Sequence, residues 1–223
     1  MPAGRDVALK TVQGELPTSL DECSDDALRV LARQHAFGGM GVFGQDVCAR
    51  HHIIDWHFAP ECIAPRARPN KWRLVQQGPD DWAEKAFAGD PPYYYELWRR
   101  VGRRGDEALA LRAAGSRDAL IVIAGGRFAY VVARATAPQA LGEEYASNAA
   151  YVDAALAQKR RGDAEAMLGL EAGWGAAAGA WAVEAALQPW REGRALSEVV
   201  SGVAFRVAER GDGVFPPGVV VDD

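Results

Sequence analysis

Two apolar runs that meet at a Gly-Gly pair form the clearest pattern in the chain. Residues 119–124 (ALIVIA) and 127–134 (RFAYVVAR) are rich in β-branched and aromatic side chains, and Gly125-Gly126 lies between them. Glycine has no Cβ, so this pair can adopt positive φ at both central positions of a tight primed turn. The pattern therefore predicts an antiparallel β-hairpin.

Short segments with strand-like apolar patterns recur along the rest of the chain. They predict further strands at residues 6–13, 47–58, 71–75, 93–101, 108–112, 166–175, 180–190, 202–209 and 214–221. The glycine-rich residues 38–44 are interpreted as a flexible link, and residues 79–82 (PDDW) as a turn.

Two segments have helical rather than strand periodicity. Ser24 is followed by two acidic residues and then by an apolar stripe, which predicts an N-capped helix over residues 25–37. Residues 143–161 show a second helical stripe, with acidic residues early and basic residues at the end. Residues 164–190 are rich in alanine, but four internal glycines and Pro189 favour strands there, since each glycine costs a helix about 1 kcal/mol.

Many short strands with only two helices indicate a mostly β protein in a single domain that spans residues 1–223. Because the strands are consecutive, we expect an antiparallel barrel with two short helices. The alternative is an α+β cone, in which helices cover one open face of a curved sheet. The small residues of 164–187 favour an unfilled cavity over close packing against a helix.

Composition excludes several classes of function. The net charge is −5 and basic residues are interspersed with acidic ones, so we expect no nucleic-acid partner, and the Arg99–Arg104 cluster is interpreted as a solvated surface. Residues 1–10 contain no apolar core segment, so we expect no secretory signal there, and no apolar run is long enough for a bilayer. Three cysteines without a CxxC motif indicate reduced thiols and a cytoplasmic location.

Several phrases of the sequence resemble a family of fungal lipocalin-like (calycin) β-barrel proteins of unsettled function. They are H-x-IDWHF at 52–58, YYYELWR at 93–99, ALALR at 108–112 with LIVIAGGRFAYVVAR at 120–134, and LQPWREGRAL at 187–196. The resemblance covers roughly residues 50–200. It implies a barrel with an apolar small-molecule pocket, and it supplies no catalytic residues.

Three of the four histidines lie within seven positions, with an aspartate among them. In an extended 47–58 segment, His51, Asp55 and His57 share one face, and a carboxylate beside an imidazole suits a general base. Asp55 and His57 are therefore a candidate catalytic pair. The same trio could instead be structural or could bind a metal, although same-face neighbours about 7 Å apart are poorly placed for one ion. The opposite face, with His52 and Trp56, could equally line an aromatic pocket.

Glu96 is the second candidate acid. Alternation places it between Tyr94 and Trp98, and burial between two aromatic residues would raise its pKa. If that face is the outside of a barrel, Glu96 is simply solvated. The predicted substrate contacts are His51, Trp56, Tyr94, Trp98, Arg99, Tyr130, Trp174 and Trp181.

The sequence contains no GxGxxG, GK[ST], HExxH or GxSxG motif in a suitable context, so we expect no cofactor and no metal. Two classes of function stay open. One is a cofactor-independent isomerase or cyclase that acts on an apolar, aromatic or polyketide-like molecule by acid/base catalysis. The other is a non-catalytic small-molecule carrier or protein-interaction barrel. The two would differ in whether Asp55, His57 and Glu96 share one cavity.

Overall fold

The chain forms a mostly β structure of two sheets, of which one curls into a half-barrel. The computed structural model describes residues 2–65, 71–87, 95–100, 108–115, 117–210 and 221–222. The first sheet contains β1 (Phe37–Phe43), β2 (Val47–Asp55), β3 (Lys71–Gln76), β4 (Asp81–Lys85) and β5 (Tyr95–Arg99), in that order.

The second sheet is built around the predicted hairpin. Its strands are β6 (Ala108–Ala113), β7 (Ala119–Ala124), β8 (Arg127–Val132), β9 (Glu171–Ala176), β10 (Val183–Ala186), β11 (Phe205–Arg210) and β12 (Val221–Asp222). Their order is β10-β9-β8-β7-β6-β11-β12, antiparallel except for the short β11–β12 pair. The mostly β class is confirmed, whereas the single closed lipocalin-like barrel stays a prediction.

Five α-helices occur in the described residues. They are α1 (Pro2–Gln13), α2 (Asp25–Ala32), α3 (Asn148–Ala157), α4 (Arg161–Met167) and α5 (Leu196–Val199), and a 3₁₀ turn covers Pro189–Arg191. Helices α1 to α4 contribute to a core on one side of the second sheet, which also receives Ile54 from β2 and Val131 from β8. Because side chains alternate on β8, Phe128 and Tyr130 enter a separate core with α5 on the other side.

The Gly125-Gly126 hairpin prediction is confirmed. Both glycines have positive φ, 56° and 73°, and Ala124 lies directly opposite Arg127 in the register of β7 and β8. A primed turn requires this backbone conformation, which a side chain would strain. The hairpin then provides the central pair of the second sheet.

The helix predictions are correct in place but too long. The Ser24 Oγ atom accepts a hydrogen bond from the Ala27 N–H, as predicted for an N-cap, but α2 ends at Ala32 and leaves His35 outside it. The second predicted helix, 143–161, is represented by α3, which Ser147 caps. Helix α4 begins at Arg161, the last residue of that predicted helix, and its residues 164–167 were expected to be extended.

The predicted first strand at residues 6–13 is wrong. These residues belong to α1, in which Arg5 and Leu9 are buried one helical turn apart. The Arg5 guanidinium donates hydrogen bonds to the carbonyl oxygens of Ala186 and Leu187. Tertiary contacts of this kind outweigh the weak alternation of DVALKTVQ.

The glycine-rich link is also a correction, because residues 37–43 form β1 and pair with β2 along its length. The segment interpreted as a turn at 79–82 contains the start of β4. Of the remaining predicted strands, 71–75, 108–112 and 202–209 correspond to β3, β6 and β11, and 93–101 contains β5. Residues 93, 94 and 101, and 214–220, lie outside the described residues.

The small residues of β9 and β10 allow close packing and also border an unfilled cleft, which are the two alternatives that the sequence left open. A Cβ on Gly175 would overlap the carbonyl oxygen of Ala182 and contact the Phe128 ring, so this glycine permits close packing. Ala172 and Ala185 nevertheless border an open cleft of about 620 Å³. Close packing on one face and unfilled volume on the other therefore coexist in the same strand pair.

Candidate functional site

A largely apolar cavity of about 290 Å³ lies on one face of the first sheet. Its walls include Phe37, Phe43, Trp82 and Trp98, and its polar lining includes Arg50 and Glu84. Concave, mostly apolar sites with a few convergent polar groups are typical of small-molecule binding sites. This cavity is therefore the candidate site.

Strand register explains why these side chains meet. Trp82 and Glu84 are two residues apart on β4 and therefore share one face. Trp98 lies directly opposite Trp82 on β5, and the two indole rings are nearly parallel, with centroids 6.5 Å apart. Arg50 reaches the same face from β2, on the other side of β3.

Arg50 and Glu84 form an ion pair in the lining of the cavity. The Nη2 atom of Arg50 donates to Oε2 of Glu84, whose side chain is only 1% exposed. The guanidinium carbon of Arg50 lies 5.5 Å from the centroid of Phe37 and 5.2 Å from that of Trp98. Aromatic faces attract a cation at this range, so both rings hold the guanidinium in place.

The second carboxylate oxygen of Glu84, Oε1, is buried and accepts no hydrogen bond of good geometry from any described residue. A buried acceptor without a partner costs about 1–3 kcal/mol. Desolvation raises the pKa of Glu84, and Glu96 adds to that rise, while Arg50 and the Trp98 indole N–H lower it. The site thus contains a carboxyl group with a raised pKa and one unsatisfied oxygen in an apolar cavity.

Glu84 is the residue that sequence reasoning missed. Its segment, DWAEK, has the pattern that drew attention to Glu96, namely a glutamate two residues from a tryptophan. The interpretation of 79–82 as a turn hid that alternation. The structure places Glu96 opposite Glu84 on the neighbouring strand, where it is exposed and acts on Glu84 through charge.

Asp55 lies at the end of β2, and its carboxylate contacts both the His52 ring and the backbone of His57. Its Oδ2 atom is 2.6 Å from Nδ1 of His52, and its Oδ1 atom accepts a hydrogen bond of 2.8 Å from the backbone N–H of His57. Strand β2 ends at Asp55, and Trp56 and His57 form a turn. The predicted extended segment of 47–58 is therefore too long, and His51 is exposed while Asp55 is buried.

Aromatic stacking joins these polar groups to the cavity. The His52 ring stacks on Phe37, with centroids 3.9 Å apart, and His35 stacks on His57 at 5.0 Å. Phe37 and His52 both line the cavity, whereas Asp55 borders a separate shallow pocket beside Arg134. The Asp55 group therefore adjoins the cavity through His52.

The remaining predicted substrate contacts are dispersed over the molecule. Trp98 and His51 border the cavity, and Tyr94 lies outside the described residues. Arg99 is exposed and paired with Asp81, while Trp56 is 1% exposed in a core. The other three belong to the second sheet, where Tyr130 is buried, Trp174 is covered by Arg127 and Trp181 stacks on Phe128.

The described residues contain no group of three or more His, Cys, Asp or Glu side chains that could hold a metal ion. None of the helices in this part of the chain is long and apolar enough to cross a membrane. Cys23, Cys48 and Cys62 are buried free thiols.

Comparisons with protein-family models, with curated proteins and with solved structures gave no match to this chain. The functional argument therefore depends on the geometry of the cavity.

Proposed function

We propose that this protein binds an apolar, aromatic small molecule in the cavity of the first sheet, between Phe37 and Trp98. We propose further that it isomerises or cyclises this molecule by cofactor-independent acid/base catalysis. The observation that carries the proposal is the buried Glu84 carboxylate in the lining of an apolar cavity, with no partner for Oε1 among the described residues. A ligand that presents a hydrogen to Oε1 would satisfy this oxygen. A carboxyl group with a raised pKa is a stronger base when ionised than an ordinary glutamate, so it can accept a proton from a ligand and later return it.

Asp55 has a supporting role in this proposal. When Nδ1 of His52 donates to Asp55, this contact fixes the orientation of the imidazole ring. Asp55 thus orients a ring that borders the cavity, and the backbone N–H of His57 helps to hold Asp55. Glu96, opposite Glu84, helps to keep the pKa of Glu84 raised. The three predicted catalytic residues act here as positioning residues.

Two further expectations belong to the proposal. The resemblance to lipocalin-like barrel proteins implies a ligand of the same apolar class, and we retain the lipocalin-like barrel as a proposed architecture. Three buried free thiols support a reducing, cytoplasmic location.

The catalytic part can be tested with 5-nitrobenzisoxazole, a planar aromatic molecule that a carboxylate base opens without a cofactor. The base removes the proton on C3, the electron pair forms the nitrile, and the N–O bond breaks to release a coloured phenolate. We expect saturable ring opening by the wild-type protein. The rate should rise with pH through a midpoint above about 4.3, the ordinary pKa of a glutamate, because only ionised Glu84 accepts the proton.

The variant Glu84→Gln should lower this rate by about 100-fold or more, since it removes the base and keeps the shape of the side chain. Glu184→Gln is the matched control, because Glu184 also pairs with an arginine but lies on the second sheet. If calorimetry detects saturable binding of the probe but no ring opening follows, the non-catalytic carrier would be favoured. Equal rates for wild type and Glu84→Gln would rule out Glu84 as the base.

A further inference from the structure

Arg50 has hydrogen-bond donors that the described residues of the protein leave without an acceptor. A guanidinium has five N–H donors, and the one that the structure assigns a partner is on Nη2, which donates to Glu84. Among the described residues, the Nε and Nη1 atoms of Arg50 find no acceptor within hydrogen-bonding distance. The side chain is 16% exposed and lines the cavity, so these donors are accessible to a ligand.

The unused donors of Arg50 and the unsatisfied Oε1 of Glu84 lie on two side chains that are already in contact. A complementary ligand has an oxygen that accepts from Arg50 and, next to it, a hydrogen that Glu84 can take. A carbonyl group with an α-hydrogen has this arrangement.

The charged residues of the site also indicate the net charge of the ligand. A ligand carboxylate would lie beside Glu84 and Glu96, which repel it. A ligand cation would meet Arg50, which already occupies the faces of Phe37 and Trp98. A neutral ligand avoids both penalties. The volume of about 290 Å³ is at the small end of ligand sites, so it suits one or two rings.

We propose that the substrate is a neutral aromatic compound with an enolisable carbonyl group, and that Arg50 binds the carbonyl oxygen while Glu84 removes the α-proton. This inference rests on the proposed function above. The C–H electron pair becomes the carbon–carbon double bond of the enolate, and the carbonyl π electrons move to the oxygen that Arg50 holds. Glu84 then returns its proton either to the same carbon, which restores the ketone, or to a conjugated carbon, which gives an isomer without an oxidant or a reductant.

Preorganisation is the reason that Arg50 suits this role. Fixed donors aimed at an oxygen that becomes negative stabilise the transition state more than the ground state. The rings of Phe37 and Trp98 pack against the Arg50 guanidinium, and Glu84 accepts a hydrogen bond from its Nη2 atom. Little reorganisation is therefore needed when the enolate forms.

The test is the exchange of the α-protons of 2-tetralone in D₂O, followed by proton NMR. We expect the wild-type protein to accelerate exchange over buffer, and Glu84→Gln to lower the acceleration by about 100-fold or more. Arg50→Lys keeps the charge but loses the planar fork of donors, and it should lower the exchange rate by about 100-fold, as loss of one oxyanion donor does. Arg127→Lys is the matched control, because Arg127 also pairs with a glutamate and covers a tryptophan, but on the second sheet.

Binding of 2-naphthol, a stable enol, provides a readout that does not require turnover. The oxygen of its hydroxyl group can accept a hydrogen bond from Arg50, and the O–H can donate one to Glu84. Because two hydrogen bonds of about 1 kcal/mol each are added, 2-naphthol should bind about tenfold or more tightly than naphthalene. Equal affinities would overturn the proposal even if Arg50→Lys fails to fold. Ring opening of 5-nitrobenzisoxazole without exchange of 2-tetralone would overturn the enolisation alone. Failure of both reactions would overturn the proposed catalytic function as well.

Discussion

Asp55 Oδ2 lies 2.6 Å from His52 Nδ1, although the two residues are three positions apart on one strand. Regular alternation would place them on opposite faces. The register of β1 and β2 shifts at this point: Gly38 pairs with Ile54, but Gly39 pairs with His52, so Ile53 is an additional residue. This β-bulge turns His52 and Asp55 towards each other.

The first prediction concerns the stability that Asp55 provides. Asp55 is buried and accepts hydrogen bonds from His52 and from the backbone of His57. Asp55→Asn replaces a charged acceptor by a weaker neutral one, and it should lower the free energy of unfolding by about 1–3 kcal/mol. Urea unfolding at pH 7 measures this value. Asp26→Asn, at an exposed pair with Arg29, should change it by about 0.5 kcal/mol or less. Equal effects would show that the Asp55 contacts do not stabilise the fold.

The second prediction tests the bulge. A Cβ on Gly39 would overlap the carbonyl oxygen of His51, which belongs to the backbone and cannot rotate away. Gly39→Ala should therefore destabilise the protein by about 1–3 kcal/mol, the usual cost of overpacking. It should also shift the NMR signals of the His52 ring. Gly162→Ala is the control, since a Cβ there meets no atom within 4 Å and alanine favours the helix α4. An undisturbed Gly39→Ala variant would contradict the bulge geometry.

The third prediction concerns Arg134, which links the end of the hairpin to the turn after β2. Its guanidinium donates to the carbonyl oxygens of Met167, Asp55, Phe58 and Trp56. Burial lowers the pKa of Arg134 to about 10, and Asp55 partly opposes that change.

The substitution Arg134→Lys keeps the positive charge, but the single ammonium group of lysine cannot donate to all four carbonyl oxygens. We expect a loss of about 3 kcal/mol or more in unfolding free energy, because hydrogen bonds to charged groups contribute about 1.5–3 kcal/mol each. Denaturant unfolding measures it, with Arg194→Lys as the control at an exposed i,i+4 pair with Glu198. A loss as small as that of the control would mean that the four carbonyl contacts contribute little.

Local signals in the sequence were sufficient for part of the fold. The Gly125-Gly126 turn and the Ser24 cap depend on residues within a few positions of one another, so they could be predicted from the chain alone. Helix α1 could not, because it is stabilised by contacts of Arg5 with residues about 180 positions away. Weak local alternation gave no indication of those partners.

The candidate site was only partly predictable for a similar reason. The sequence indicated acid/base chemistry at Asp55, His57 and Glu96. The structure places His52, from the other predicted face, at the cavity together with His51, and it places Glu96 opposite Glu84. The pairing of Arg50 with Glu84 joins residues on two strands that are not neighbours in the sheet. No spacing rule within one strand could predict that contact.

The last prediction concerns two buried tyrosines at alkaline pH. Desolvation raises the pKa of both Tyr130 and Tyr151 above the ordinary value. In the unfolded chain these hydroxyls lose their protons near pH 10, while the folded protein still holds them. The unfolded state then binds fewer protons, so the stability of the fold falls as the pH rises above that value, by up to about 1.4 kcal/mol per pH unit for each tyrosine.

The two tyrosines should differ at neutral pH. The Tyr151 hydroxyl donates to the Gln139 carbonyl oxygen at 2.6 Å, whereas the buried Tyr130 hydroxyl has no hydrogen-bond partner among the described residues. Tyr151→Phe should therefore cost about 1 kcal/mol at pH 7, while Tyr130→Phe should leave the unfolding free energy unchanged or raise it. Both variants should flatten the decline in stability between about pH 10 and pH 12. Urea unfolding across this pH range measures both effects. A decline as steep in Tyr130→Phe as in the wild type would mean that the Tyr130 hydroxyl ionises equally in the folded and unfolded states.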